Sequence, residues 1–219
     1  MPAIRRIAAR EVLDSRGTPT VEAEVELEGG AWGRGMVPSG ASTGRHEARE
    51  LRDGDPARYG GRGVRRAVAA VRDVIAPALT GREAEQQAVD ARLVELDGTA
   101  DKSRLGANAI LAVSLAVARA AAEARRIPLY RYFAEICPDR PAPTMPLPLV
   151  NILSGGLHTG AGAGAAPQLD VQDFLVAPVG ARAYSQALEW AAGVHGAMRA
   201  LLAERGFALT GVADEGGFA

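Results

Sequence analysis

Asp214-Glu215-Gly216-Gly217 places two carboxylates directly before two glycines, a pattern suited to a strand end that opens into a site. Glycine lets backbone approach a ligand closely, and an acid held at such an end can donate or take a proton. A solvated carboxylate at a strand terminus is the plain alternative. Four residues follow Glu215, and the expectation is that this stretch carries only part of the acid/base machinery. Of 25 Lys and Arg residues only Lys102 is lysine, which leaves almost no amine to serve as a base. Other groups that could join such chemistry are Ser39, in the Gly/Ser loop Pro38 to Gly44, and His158, after Ser154-Gly155-Gly156-Leu157. Gln172 and Asp173, in Val171-Gln172-Asp173-Phe174, complete the set. Each alone is commonplace: a lone histidine is usually structural, and a Gly/Ser loop is usually only flexible.

These groups need a scaffold, and the chain supplies elements for two domains. Val21, Ala23, Val25 and Leu27 alternate with Glu22, Glu24, Glu26 and Glu28, the period-two mark of a half-exposed strand. Asp14 to Pro19 is turn chemistry before it, and Gly29-Gly30 leads to a third short strand, giving an antiparallel meander. Val64, Val68, Val71, Val74, Ile75 and Leu79 make one helical stripe. Further helices are expected from about Glu83 to Leu96 and from about Ala107 to Arg125, the latter apolar nearly all round. A short one begins at Ile127-Pro128-Leu129-Tyr130. Pro138, Pro141, Pro143, Pro146 and Pro148 cannot sit inside a helix and mark a boundary. Residues 1–140 are therefore read as one α+β domain, 141–148 as linker and 149–219 as the start of a second domain. In that second part, Leu147 to Leu153, Leu169 to Val176 and Leu209 to Ala213 read as strands, and Ala181 to Arg205 as a long helix.

Bulk properties exclude several classes. At 219 residues with 47% hydrophobic content the chain fits a globular protein, and a net charge of −1 leaves no footprint for nucleic acid or an anionic membrane. Arginines from Arg62 to Arg72 are interrupted by Val and Ala at helical spacing and read as a solvated helix face. The single cysteine, Cys137, allows no internal disulfide and suits a reducing compartment. The N-terminus lacks the apolar run of a secretory signal, and the apolar stretch Ala107 to Ala122 is broken by Asn108, Ser114 and Arg119. The expectation is a soluble cytoplasmic protein. Gly160-Ala161-Gly162-Ala163-Gly164 lacks dinucleotide or P-loop spacing and reads as a low-complexity loop.

Taken in order, Asp14 to Thr20, Pro38 to Gly44, Leu105 to Ser114 and the Asp-Glu-Gly-Gly end resemble the enolase family from residue 4 onward. The resemblance covers about the first half of a family member. It implies a three-stranded N-terminal α+β domain followed by the beginning of a TIM-like α/β barrel. It also implies dehydration of 2-phosphoglycerate to phosphoenolpyruvate with two magnesium ions. Glu215 matches the family's general acid for the departing hydroxyl. Ser39 matches the residue whose oxygens reach the second Mg2+ when its loop closes. His158 matches a histidine reaching the substrate phosphate and the acid, and Gln172 and Asp173 match a Gln-Glu pair beside the substrate hydroxyl. The family's carboxylate triad for metal and its lysine base come from later barrel strands, and no position here matches them; Lys102 matches an N-terminal-domain position instead. A homo-oligomer is implied for a completed barrel.

Departures cluster in the substrate-facing segments. Asp173 stands where the family has Glu, one methylene shorter, and a change in reach of about 1 Å can cost roughly a hundredfold in rate. Ser154 replaces Asn, Ala213 replaces Gly, and the loop from Thr159 to Pro167 is longer and bare of polar groups beyond Thr159. Three readings follow: an enolase-type hydro-lyase, an enolase-like paralogue acting on a phosphonate relative of phosphoenolpyruvate, and a non-catalytic fragment or binding protein.

Overall fold

Alternating side chains build the first sheet, and a turn locked by one aspartate sets its register. The computed structural model describes residues 1–40, 43–139, 142–156, 170–207, 209, 211–213 and 215–218. Two units emerge, Met1–Pro143 and Thr144–Ala219. In the first, β1 (Ile4–Leu13), β2 (Pro19–Leu27) and β3 (Trp32–Met36) form an antiparallel sheet in that order. Asp14 Oδ1 accepts from the backbone N–H of Arg16 at 2.9 Å and of Thr18 at 2.8 Å, which closes the β1–β2 turn. Val21, Ala23, Val25 and Leu27 are fully buried, as their alternation predicts. Glu22 departs from the alternation. It is buried too, because Arg10 Nε reaches its carboxylate at 2.5 Å and Arg34 Nε at 3.6 Å.

Helices cover one face of this sheet. A helix starts at α1 (Arg65–Ala70), widens into a π turn at Val71–Ile75 and continues as α2 (Ala76–Leu79). Asp53 caps its first turn by accepting from Arg65 and Arg66 N–H at 3.0 and 2.9 Å. Pro77 has no N–H to give the helix, and the wider turn lies just before it. α3 (Gln86–Asp97) begins later than the expected Glu83 because Glu85 is the N-cap, its carboxylate accepting from Gln87 and Ala88 N–H. Gly98 ends it with φ +70°, a left-handed conformation that glycine adopts without penalty.

α4 (Ala107–Ala124) runs against β2 and β3. By length and composition it could cross a membrane, yet Ala109, Ala112, Val113, Ala116, Val117 and Ala120 are buried in the unit's core. The approach is close enough to require glycine on the strand: a Cβ at Gly35 would lie 2.4 Å from the Ala112 carbonyl oxygen. Alanines on the helix and glycines on the strand thus bring the two backbones together. α5 (Leu129–Ile136) packs Tyr132 against Ala118, Ala121 and Ala122.

Two carboxylates lock loops onto this core. Glu11 accepts both guanidinium nitrogens of Arg58 and the Val64 N–H, and the Arg58 pairing above all holds its carboxyl below the usual range. For Asp97, burial pushes the carboxyl up, but the Leu105 N–H at 2.7 Å and the Thr99 hydroxyl and N–H outweigh it and leave it lowered.

The second unit contains β4 (Val150–Ser154) and β5 (Asp173–Val176), paired antiparallel, and the long helix α6 (Tyr184–Glu204). The described residues of the expected strand Leu209 to Ala213 are not in a strand. Instead Phe218 bridges Leu153 in parallel, with Phe218 N–H donating to the Ile152 carbonyl at 2.9 Å and Ser154 N–H to the Phe218 carbonyl at 2.8 Å. The strand-like contact is therefore carried by the segment after the Asp-Glu-Gly-Gly motif, where the glycines let backbone meet β4 directly. Among the described residues there is no closed barrel.

Candidate active site

β4 carries a bulge, and the bulge builds the site. Asn151 pairs with Leu175 and Leu153 with Phe174, so Ile152 is skipped in the register. Residues 151 and 154 of a regular strand would point to opposite faces; the extra residue turns both to one side. Asn151 Nδ2 accordingly donates to Ser154 Oγ at 2.9 Å. The same nitrogen donates to Asp173 Oδ1 at 2.5 Å, and Glu215 Oε2 lies 3.5 Å from it. Two carboxylates from segments more than forty residues apart thus meet one amide.

The end that presents Glu215 is held by backbone and by α6. Gly216 N–H donates to the Ala213 carbonyl at 2.9 Å, and Gly216 has φ +86°, the left-handed region. Gly217 serves a different need: a Cβ there would sit 2.6 Å from Ser154 Oγ and 2.7 Å from Asn151 Oδ1. His195 of α6 stacks on the Phe218 ring at a centroid distance of 4.3 Å, and its Nε2 lies 3.1 Å from the Gly216 carbonyl oxygen. Glu215 is exposed and Asp173 half-buried.

Asp173 and Glu215 are therefore brought together. The Gln172 carbonyl accepts from Gly155 N–H at 2.7 Å, fixing the start of the Gly-Gly turn. His158, Asp214 and the loop from Thr159 to Pro167 lie outside the described residues. Ser39 belongs to the first unit. Its Oγ lies 3.2 Å from Glu50 Oε2 and accepts from Arg52 at 2.9 Å, and its carbonyl accepts from Arg16. A pocket of about 670 Å³ runs along this loop and the start of α4, lined by Val37, Pro38, Thr43, Arg45, Glu47 and Asn108 among others.

Among the described residues, the group that could offer an oxygen to a divalent cation by family resemblance is the Ser39 hydroxyl, which is engaged by Arg52. No group of three or more His, Cys, Asp or Glu among the described residues is placed to hold a metal. Asn151 and His195 were not singled out by residue type. An asparagine in the apolar run Leu149-Val150-Asn151-Ile152-Leu153 was the available signal for the first. The second lies within the long helix α6, where residue type alone gives no signal.

Comparison with known proteins decides the family. The Enolase, N-terminal domain model matches residues 4–133, more than half of the chain. The chain belongs to the enolase family. The Enolase, C-terminal TIM barrel domain model matches residues 142–219, so the β4–β5–α6 region is the start of the enolase barrel. An Enolase of Mycobacteroides abscessus is 53% identical over 220 residues, an alignment that covers 100% of this chain and 48% of that protein. The chain spans about half the length of the curated relative that it matches. Membership in the enolase family implies a divalent metal cofactor.

Proposed function

We propose that the chain is part of an enolase-type hydro-lyase that converts 2-phosphoglycerate to phosphoenolpyruvate and water, a glycolytic step carried out in the cytoplasm with Mg2+. The observation that carries this reading is the convergence of Asp173 and Glu215 on Asn151 of the β4–β5 pair. Loss of water from a carbon neighbouring a weak carbon acid needs a proton donor for the departing hydroxyl, and a positioned acid contributes roughly 10²–10⁴-fold. Glu215, exposed on a glycine-flanked turn, takes that role. Asp173 and Gln172 orient the hydroxyl, and His158 binds the phosphate side. Ser39 contributes to Mg2+ once its hydroxyl leaves Arg52. The substrate is a phosphorylated three-carbon acid, residues 141–148 link the two domains, and the whole enzyme is a homo-oligomer. A phosphonate analogue of phosphoenolpyruvate is the second reading, supported by Asp173, one methylene shorter than the glutamate that the resemblance implies there.

The test joins the chain to the remaining barrel of the Mycobacteroides abscessus Enolase and follows phosphoenolpyruvate formation by absorbance. Glu215→Gln should cut turnover at least about a hundredfold while leaving substrate binding nearly intact, since it removes a proton and keeps size. Asp173→Glu should raise turnover of 2-phosphoglycerate. Normal turnover by Glu215→Gln would make the Asp-Glu-Gly-Gly end a structural terminus and defeat the assignment.

A further inference from the structure

We propose that Asn151 is a positioning residue that holds Asp173 and Glu215 in one reactive pair through its side-chain amide, with Gly217 keeping the space that this amide needs. Asn151 is 8% exposed, and its Oδ1 is buried with no hydrogen-bond partner among the described residues. A purely structural asparagine would satisfy that acceptor, because a buried polar atom without a partner is costly and rare. Here the acceptor is left unpaired while the nitrogen faces three acceptor oxygens, those of Ser154, Asp173 and Glu215. Turning the amide over would set Oδ1 against two carboxylates, so the orientation is dictated by the acids. Oδ1 instead lies against Gly217, where any Cβ would come within 2.7 Å of it and within 2.6 Å of Ser154 Oγ. A side chain at position 217 would push Asn151 off both acids at once. The β4 bulge supplies the reach, Ser154 supports the nitrogen from the strand side, and His195 with Phe218 anchors the turn that delivers Glu215.

The kinetic part of the test rests on the lyase reading; the spectroscopic part does not. In the 219-residue chain, the Asn151 side-chain 15N–1H2 resonances, assigned by their loss in Asn151→Asp, should shift in both Asp173→Asn and Glu215→Gln. A resonance pair unmoved by Glu215→Gln would overturn the proposal, whatever the activity. In the chain joined to the barrel remainder, Asn151→Ala should lower kcat roughly a hundredfold with KM within about threefold, the size of effect expected when an acid is misplaced by about 1 Å. Gly217→Ala should lower kcat in the same sense although it removes no polar group. Asn151→Asp keeps the volume but puts a carboxylate where the donor was, and should fall at least as far as Asn151→Ala. Should Asn151→Asp retain wild-type kcat, the side chain serves only to fill space and the proposal is wrong. If the unaltered joined protein shows no turnover, the lyase reading fails, while the resonance shifts still decide the clamp.

Discussion

The two units treat their apolar side chains in opposite ways. In Met1–Pro143, Val21, Val25, Leu27, Ile75, Leu79 and Leu93 are all fully buried between one sheet and its helices. Among the described residues of Thr144–Ala219, Phe174, Leu175, Leu188, Trp190, Val194 and Leu201 are all exposed, and the buried apolar residues include Ile152, Ala187, Ala191 and Phe218. Three strands with helices over one face close a core of their own, whereas a two-stranded pair is marginal without further cover. The carboxylates lie in the second kind of structure. Among the described residues, bulk packing and the proposed site thus lie in different parts of the chain, and the proposed site rests on the specific contacts of Asn151, Ser154 and Gly217.

Core truncation should separate the units most strongly. Leu79→Ala, at a fully buried position, should cost about 2–5 kcal/mol in denaturant unfolding of the first unit, whereas Leu188→Ala, 46% exposed, should change stability by less than about 0.5 kcal/mol. Equal losses at the two positions would mean that α6 is covered in solution and that the contrast does not hold. Next in size is Gly35→Ala. Its Cβ would meet the Ala112 carbonyl oxygen at 2.4 Å, so β3 and α4 must part and the first unit should lose about 1–3 kcal/mol. An unchanged melting temperature would show that the helix can retreat without loss.

Acid provides the smallest and most selective probe. Glu11 and Asp97 both have carboxyls lowered in the folded chain. A group lowered on folding contributes stability that is full above its unfolded pKa, about 4. That stability disappears as the pH falls through the lower folded value. The first unit should therefore lose stability on acidification below about pH 4, with a shallower loss in Glu11→Gln, followed by thermal unfolding across the pH series. A Glu11→Gln profile parallel to the unaltered one would remove the Arg58 pairing as a source of acid sensitivity.

Much of the first unit was legible from residue types. The Val/Glu alternation of β2, the turn at Asp14 and the helix stop at Asp97-Gly98 are local features, and local sterics and hydrogen bonding decide them. Even there, the burial of Glu22 depended on Arg10 and Arg34 arriving from neighbouring strands. In the second unit, Glu215 and Asp173 could be named because carboxylates beside glycines and in matching motifs carry a signal in their types. The described residues of the expected strand Leu209 to Ala213 are not in a strand because a short apolar run has no preference between strand and loop until a partner is present, and the parallel bridge to β4 is made by Phe218 instead.

The sequence by itself determined the order of elements, the α+β character of the first unit, the membership in the enolase family and the acids that could act. Periodicity, turn chemistry and ordered motifs are properties of neighbours along the chain. Only the tertiary structure decided that Asn151 and Ser154 share a face, that Gly217 must lack a side chain and that Asp173 and Glu215 meet. Those facts arise from one skipped residue in a strand pairing and from a parallel contact made sixty-five residues later, and no local pattern contains either.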